Sequence, residues 1–362
     1  MFVPSGFQHY CTAQLVRTVV LTVGNAVQDE VVTYIIGNLQ RLINQGLDRN
    51  VEITGDLVFI TGGTTTSKLQ RNNTNKNLGP GHLGYRVIVD TPKTGYCVDA
   101  AVRSEAKGQR ILSIPSVKSL KPGENLELVV VPDMLADGAY SQVITGAIYV
   151  IHTTSPLTSA YKDDDNMEKL FIEPAVKGAM NILEAANKAA SIKRIVIPSS
   201  FGAICSFKYL VSEFSSTLFD ETMRTWFLPP PYVNALNGYC ASKIKALNDD
   251  EEWMKRERLG FDVIHMFPSF FISSDELATN TEDVFNGTNS FVPGLVTGKD
   301  IGAIPGCTIN INDVALAHVK ALDLKVSGNR GYSVIRDGKV GANFRYCCEG
   351  VSCCGRKGEV VG

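Results

Sequence analysis

Tyr239 and Lys243 are the residues whose types and spacing point most directly to chemistry. On a helix, positions four apart share a face, so the phenol and the ammonium can meet above one ligand. A free tyrosine has a pKa of about 10, and a nearby cation would lower that pKa towards the range that general acid catalysis uses. A surface tyrosine beside a solvated lysine is the alternative interpretation. The place of this pair between the predicted fifth and sixth strands favours a catalytic role.

A serine pair, Ser199-Ser200, supplies a third polar group. It follows a predicted strand at Arg194–Ile197, at the carboxyl edge where ligands of open parallel sheets bind. A hydroxyl there can donate a hydrogen bond to a carbonyl oxygen as charge develops on it. A turn capped by two serines is the alternative. Beside the Tyr239–Lys243 pair, we interpret Ser200, ahead of Ser199, as a catalytic hydroxyl.

Three glycines, Gly62, Gly81 and Gly84, follow the predicted first strand, but a polar insert from Thr65 to Pro80 separates the first from the other two. Joining Thr64 to Gly81 gives a Gly-x-x-Gly-x-x-Gly rhythm, which lets backbone approach a pyrophosphate at a helix N-terminus. The insert is too polar to bury a core and is predicted to be a looped excursion. We expect the insert to weaken cofactor binding. A catalytically inactive Rossmann protein therefore remains an alternative interpretation.

The elements that would position these residues alternate between strand and helix from Leu57 onward. This alternation predicts an α/β fold, a Rossmann-type doubly wound parallel sheet over residues 55–270, with a smaller substrate lobe over 271–341 to which 206–237 contribute. Residues 1–54 are interpreted as an extension and 342–362 as a cysteine-rich tail. Strands are predicted at 57–61, 97–102, 126–131, 148–152, 194–197 and 263–267, and helices at about 166–190, from near Tyr239, and at 311–322. We expect Pro174 to kink the first of these helices and Asp313 to cap the last.

The bulk composition excludes several classes of partner. The 35 basic and 37 acidic residues nearly balance, which argues against a nucleic-acid or polybasic membrane role. No apolar run reaches about 18 residues, so a transmembrane helix is not predicted. Most of the nine cysteines are single, which fits a reducing, cytoplasmic setting. The paired cysteines of the tail lack a usual zinc spacing, and no metal is predicted.

Together these residues resemble the extended short-chain dehydrogenase/reductase family, most closely its dihydroflavonol-reductase-like and fungal ketoreductase members. The resemblance covers about Leu57 to Asp323 without the insert. Further matches are 151–156, 177–186, Phe267-Pro268 and Asp313-Val314-Ala315. The sequence departs from the family at Pro198, where Thr is frequent, at Thr154, where Ala is frequent, and at 273–275, which replace a Gly-Pro.

The resemblance implies roles for the residues that match. Ser200 would polarise a substrate carbonyl, Tyr239 would deliver the proton, and Lys243 would hold the cofactor ribose and tune Tyr239. The cofactor-binding residues that it implies are Gly62, Gly81, Leu83, Gly84, Asp133, Met134, Thr153, Thr154, Ser155, Tyr239, Lys243 and Pro268.

The choice between the two nicotinamide cofactors depends on the end of the predicted second strand. An acidic residue there would bind a ribose 2′-hydroxyl and select NAD, whereas arginine suits a 2′-phosphate. Arg103 occupies this end, with Lys107 and Arg110 close behind. NADP (NADPH) is therefore the predicted cofactor, with a solvated basic loop as the alternative.

The sequence thus predicts an NADP-dependent enzyme that reduces a ketone or aldehyde on a small, apolar or aromatic molecule. An epimerase, a dehydratase or a hydroxysteroid-type dehydrogenase/isomerase of the same fold stays open. The late lobe shows no clear cationic site for a nucleotide diphosphate, which disfavours a sugar-nucleotide substrate. Neither nucleic acid nor membrane is expected as a partner.

Overall fold

Short apolar runs bounded by turns form a seven-stranded sheet in which every neighbouring pair is parallel. Its strands are β1 Leu57–Thr61, β2 Cys97–Val102, β3 Leu126–Val130, β4 Tyr149–His152, β5 Arg194–Pro198, β6 Asp262–Pro268 and β9 Arg330–Val334. Two further strands, β7 Phe270–Ile272 and β8 Thr308–Asn310, pair with each other. The strand order β3-β2-β1-β4-β5-β6-β9 confirms the predicted doubly wound Rossmann-type fold.

This computed structural model describes residues 55–62, 81–156, 166–211, 219–227, 229–278, 287–290 and 308–335. The extension 1–54, the insert 65–80 and the tail 342–362 lie outside the described residues, so the predictions made for them stay predictions.

Helices connect the strands and cover both faces of the sheet. They are α1 His82–Asp90, α2 Glu105–Leu112, α3 Pro115–Lys118, α4 Glu173–Lys188, α5 Phe207–Val211, α6 Ala235–Arg256 and α7 Ile311–Lys320. A π-helical turn, Glu168–Ile172, leads into α4, and Pro174 lies in the first turn of α4, where proline is tolerated. Every helix within the described ranges is too short or too polar to cross a membrane.

Alternating side chains of the strands divide the core into two layers. In β1, Val58 and Ile60 pack with α1 and α7 on one face, whereas Phe59 packs with α4 on the other. All three side chains are fully buried, as expected for a parallel sheet covered on both faces. The helices of the two layers cover the faces of the sheet and not the carboxyl ends of its strands.

The switch point of the sheet lies between β1 and β4. From β1 the chain proceeds to β2 on one side, whereas β4 and the later strands lie on the other. Thr61 at the end of β1 is in register with His152 at the end of β4. Ligands of doubly wound sheets bind in the crevice outside such a point.

The part of the chain after residue 270 differs from the prediction. Helix α7 packs in the main core, and β9 extends the main sheet beside β6, so both belong to the sheet domain rather than to a separate lobe. β9 was not predicted from the sequence, because Gly331 interrupts its apolar pattern. A side chain at Gly331 would overlap the Phe267 ring, which explains the glycine. The cap of α7 is Asn310, whose side chain accepts a hydrogen bond from the Asn312 N–H at 2.9 Å, and not Asp313.

Candidate active site

Helix α6 places the tyrosine and the lysine near the carboxyl ends of the strands. Its N-terminus is fixed by Asn234, whose side chain accepts a hydrogen bond from the Asn237 N–H at 2.9 Å. The Lys243 ammonium lies 5.8 Å from the centroid of the Tyr239 ring and donates to the Pro198 carbonyl at 3.3 Å. Pro198 ends β5, so this bond joins the helix to the end of the strand. The structure therefore brings together the two residues predicted from their spacing.

Ser200 completes a cluster of three polar side chains. Its hydroxyl lies near the Tyr239 phenol, whose pKa it lowers, and it accepts a hydrogen bond from the Gly202 N–H at 3.1 Å. Gly202 lies in a 3₁₀ turn, Phe201–Ala203, that packs tightly on α6, because an added Cβ would lie 2.9 Å from the Cys240 sulfur. Ser199 instead continues the sheet, since its N–H donates to the Met266 carbonyl at 2.7 Å. The geometry thus favours Ser200 over Ser199 as the hydroxyl that meets a substrate.

Burial sets the protonation state of the phenol. The pKa of Tyr239 is raised to about 12, first by burial and then by the Cys240 thiol, and the Ser200 hydrogen bond opposes this rise. The sequence predicted a pKa lowered by Lys243, and the structure differs because burial of the phenol makes the largest contribution to its pKa. A phenol with this pKa keeps its proton near neutral pH, which is the state that a proton donor needs.

Lys243 is 7% exposed, and burial lowers its pKa to about 8, while the Asp250 carboxylate opposes that change. Near neutral pH the side chain therefore remains an ammonium ion. It keeps a positive charge beside the tyrosine and the switch point.

The ends of β1 and β4 are joined by side-chain hydrogen bonds. The Thr153 hydroxyl donates to the Thr61 carbonyl at 2.6 Å, and the Thr154 hydroxyl donates to the Thr61 hydroxyl at 3.1 Å. The Ser155 hydroxyl donates to the Pro156 carbonyl at 3.5 Å. His152 Nδ1 lies 2.8 Å from the Thr61 hydroxyl, and burial followed by the Lys243 charge lowers the pKa of His152 to about 3, so the imidazole is neutral. Thr153, Thr154 and Ser155, three of the predicted cofactor-binding residues, thus follow β4 at the switch point.

The three glycines of the interrupted motif converge. Gly62 has φ +91°, in the left-handed region that favours glycine, and an added Cβ would overlap Thr153. A Cβ at Gly84 would overlap the Gly62 carbonyl, and one at Gly81 would lie 3.2 Å from that same oxygen. The start of α1 therefore packs on the end of β1 as closely as glycine allows. Leu83 is 9% exposed in the core, so its contact with a cofactor would come from its backbone.

A cluster of cations follows β2. Arg103 comes directly after the strand, and Ser104 caps α2 by accepting from the Lys107 N–H at 3.4 Å. The pKa of Lys107 is lowered by burial and then by the charges of Arg103 and Arg110. The Arg110 guanidinium also donates to the Leu277 carbonyl at 2.8 Å. Three positive charges held within electrostatic reach of one another favour the binding of an anion.

The remaining predicted contacts lie around β3 and β6. Asp133 accepts from the Leu135 N–H at 3.1 Å. Met134 is 2% exposed, so its side chain packs in the core, and its carbonyl accepts from Asn181 Nδ2 at 3.1 Å. A cofactor would therefore meet the backbone of Met134 rather than its side chain. Pro268 is buried at the end of β6.

Sequence reasoning missed a buried acidic residue and a histidine beneath the lysine. Asp250 lies seven residues after Lys243, hence on the same face of α6, and its Oδ2 is 3.3 Å from His265 Nε2. They are 2% and 3% exposed. The helical spacing of Asp250 and the presence of a histidine in an apolar strand were the available signals.

Two relatives are each at least 34% identical to this chain and cover at least 67% of it. A ketoreductase of Cercospora nicotianae is 36% identical over 260 residues, covering 70% of this chain and 72% of the relative. An NAD-dependent epimerase/dehydratase of Alternaria alternata is 34% identical over 250 residues, covering 67% and 70%. A scan of protein-family models finds no match.

Solved structures share the fold. Gre2 of Candida albicans in complex with NADPH superposes with a TM-score of 0.62 at 23% identity, covering 77% of this chain and 78% of the other. Vestitone reductase from alfalfa superposes with a TM-score of 0.54 at 22% identity, covering 78% and 77%.

Proposed function

Because this chain belongs to the extended short-chain dehydrogenase/reductase family of NAD(P)-dependent oxidoreductases, we propose that it is an NADP-dependent reductase of a ketone or aldehyde on a small molecule. One observation carries the proposal. Ser200, Tyr239 and Lys243 converge at the carboxyl ends of the strands, beside the switch point, with the phenol protonated and the Ser200 hydroxyl near it.

The side chains define the chemistry of the site. The Tyr239 phenol and the Ser200 hydroxyl both donate to the oxygen of a bound carbonyl, which fixes its orientation and stabilises the negative charge that develops there. NADPH, when bound, supplies the hydride that reaches the carbonyl carbon. Tyr239 gives its proton to the oxygen, and the Lys243 charge stabilises the resulting phenolate. The product is an alcohol.

The residues present fit a dinucleotide with a 2′-phosphate. Gly62, Gly81 and Gly84 let the start of α1 pack against the end of β1, so that the N-terminus of α1 lies where a pyrophosphate would bind. Arg103 and Lys107 form part of the cation cluster that follows β2. A 2′-phosphate would bind at the carboxyl end of this strand. NADPH binding in Gre2, which has the same fold, supports the same choice.

The surroundings of Tyr239 favour an apolar or aromatic substrate. Phe227 and Tyr232 pack in the same apolar cluster as Tyr239. On the same stretch of chain, Trp226 is 88% exposed and Val233 is 74% exposed. An apolar surface beside a proton donor suits a carbonyl attached to an aromatic or aliphatic body. The ketoreductase name of the Cercospora relative supports a ketone as the group that is reduced.

An epimerase or dehydratase is the second candidate, favoured by the name of the Alternaria relative. Such an enzyme returns its nicotinamide to the starting state within each turnover, so it consumes no NADPH overall. A reductase consumes one NADPH for each alcohol formed.

Incubation with NADPH and a panel of aromatic and aliphatic ketones and aldehydes therefore tests the proposal. We expect oxidation of NADPH that depends on the carbonyl compound, with an equal amount of alcohol formed. Saturable NADPH binding without carbonyl-dependent oxidation across the panel would favour the second candidate. No binding of either NADPH or NADH would indicate an inactive Rossmann protein.

A further inference from the structure

A small cavity lies beneath Lys243, between the sheet and helices α4 and α6. The polar residues that line it are His152, Thr154, Ser155, Ser199, Lys243, Asp250 and His265. The space accessible to the centre of a water molecule is ≈ 20 Å³, which is enough for one water.

Two buried polar atoms on this lining have no hydrogen-bond partner among the described residues. They are Oδ1 of Asp250 and Nε2 of His152. The residues are each 2% exposed. Buried polar atoms are almost always hydrogen-bonded to protein or to ordered water. We therefore infer that the cavity holds water, which links Asp250 to the polar groups around Lys243.

The groups that face Lys243 can be taken element by element. Helix α6 contributes Tyr239 and Asp250, and α4 contributes only the uncharged Ala175 and Ala179. Strand β4 contributes the neutral His152, β5 and the residues after it contribute the Pro198 carbonyl and the Ser199 hydroxyl, and β6 contributes His265. Among these groups, the Asp250 carboxylate is the one that counters the lysine charge.

His265 in turn favours the charged state of Asp250, whose pKa is raised overall by burial. Burial raises the pKa of Asp250, whereas the hydrogen bond and charge of His265 lower it, and Asp249 and Glu251 raise it. The histidine therefore favours the carboxylate form of Asp250, which burial disfavours.

We propose that Asp250 and His265 are positioning residues for the catalytic lysine: across the water-filled cavity, the Asp250 carboxylate holds Lys243 as an ammonium ion, and His265 holds Asp250 as a carboxylate. This rests on the proposed function, in which Lys243 must carry a positive charge. The negative charge of Asp250 raises the pKa of Lys243. Removing that charge therefore makes Lys243 lose its proton at a lower pH.

The test follows the titration of Lys243 directly, in full-length protein labelled with ¹³C at the lysine Cε. The Lys243 signal is identified by its absence from the spectrum of Lys243→Arg. In Asp250→Asn we expect the titration midpoint to move to lower pH by about one unit or more. Asp249→Asn is the matched control, because Asp249 pairs with Lys245 rather than with Lys243, and its midpoint should match the parent.

His265 provides an independent pair of variants if Asp250→Asn does not fold. His265→Gln keeps a donor at a comparable reach and should retain the parental midpoint. His265→Leu removes the donor and should shift the midpoint in the direction expected for Asp250→Asn. Circular dichroism establishes the fold of each variant before titration. An unchanged Lys243 midpoint in folded Asp250→Asn or folded His265→Leu would overturn the proposal.

The NMR titration requires no turnover, so it separates this inference from the reductase assignment. If the Lys243 midpoint shifts in Asp250→Asn but the parent reduces no carbonyl, the Asp250–Lys243 coupling is supported and the reductase assignment is not. If the parent reduces a carbonyl but the Lys243 midpoint of Asp250→Asn matches that of the parent, the reductase assignment is supported and the Asp250–Lys243 coupling is overturned. In an active parent, the alkaline limb of kcat should move with the NMR midpoint, whereas a merely structural role would lower kcat at all pH values alike.

Discussion

The Tyr239 phenol and the Lys243 ammonium are perturbed in opposite senses by the same burial. Burial raises the pKa of the phenol to about 12 and lowers that of the ammonium to about 8, because it disfavours the charged form of each. Both groups are therefore protonated near neutral pH. We expect reductase activity to decline as the pH rises through about 8, where Lys243 loses its charge.

Substitution of Ser200 tests whether its hydroxyl stabilises the negative charge that develops on the substrate oxygen. Ser200→Ala removes a donor to the developing oxyanion, so kcat should fall by about 10²–10³-fold while NADPH affinity is unchanged. Steady-state kinetics and a fluorescence titration measure the two quantities. Ser199→Ala is the matched control and should stay within a few-fold of the parent. If the two variants lose activity equally, Ser200 is not the substrate-facing serine.

Arg103 tests the choice of cofactor. Arg103→Asp replaces a cation by a carboxylate, which repels a 2′-phosphate and accepts from a 2′-hydroxyl. We expect the preference for NADPH over NADH to reverse or flatten, measured as the ratio of the two kcat/KM values. Lys118→Asp makes the same charge change on exposed α3 and should leave the ratio unchanged. An unaltered ratio in Arg103→Asp would mean that the 2′-phosphate binds elsewhere.

At the scale of elements, a buried arginine joins β5 and β6 to the end of α7. Arg194 is 1% exposed and makes two hydrogen bonds to Asp262, at 2.6 and 2.9 Å. It also donates to the carbonyls of Ala321, Asp323 and Val326.

Arg194→Met leaves a carboxylate and three carbonyls without their donor. The free energy of unfolding should fall by about 3–5 kcal/mol, measured by urea denaturation. Lys93→Met removes the cation of a more exposed pair, Lys93–Asp90, and should cost at most about 1 kcal/mol. A similar small loss in both variants would show that Arg194 contributes little to the joining of these elements.

The elements that sequence predicts well are those whose pattern depends only on local burial. β1 and β2 have the predicted bounds because each is a short, mainly apolar run between turn residues. β9 was missed because its glycine serves a contact with Phe267, a residue far away in sequence. The cap of α7 was misassigned by three residues, since both Asn310 and Asp313 are good capping types.

The same distinction holds for the site. Tyr239 and Lys243 are four apart on one helix, so sequence alone could pair them. The Asp250–His265 contact joins a helix to a strand, and only the fold brings it under Lys243. The raised pKa of Tyr239 depends on burial, which residue spacing does not contain.

At the scale of the whole molecule, the insert Thr65–Pro80 separates the end of β1 from the start of α1. An added Cβ at Gly81 would lie 3.2 Å from the Gly62 carbonyl, so the two ends of the interrupted loop already meet. Deletion of Thr65–Pro80 should therefore preserve the fold, because a short connection can close this gap.

The deletion should also raise NADPH affinity by at least about tenfold, roughly 1.4 kcal/mol, since a tight glycine turn has a preset geometry for the pyrophosphate. A nicotinamide fluorescence titration of both proteins measures the change. Replacing the insert by a Gly/Ser segment of equal length is the control and should bind like the parent. If the deletion variant binds no better, or does not fold, the insert is part of the working protein.

The central claim is that this chain reduces a carbonyl with Tyr239 as the proton donor. The most direct measurement is the rate of carbonyl-dependent NADPH oxidation by Tyr239→Phe and by the parent, with NADPH affinity determined for both. The ring remains and only the transferable proton is removed, so the rate should fall by about 10²–10⁴-fold while NADPH affinity is largely unchanged. A Tyr239→Phe rate within a few-fold of the parental rate would contradict the claim.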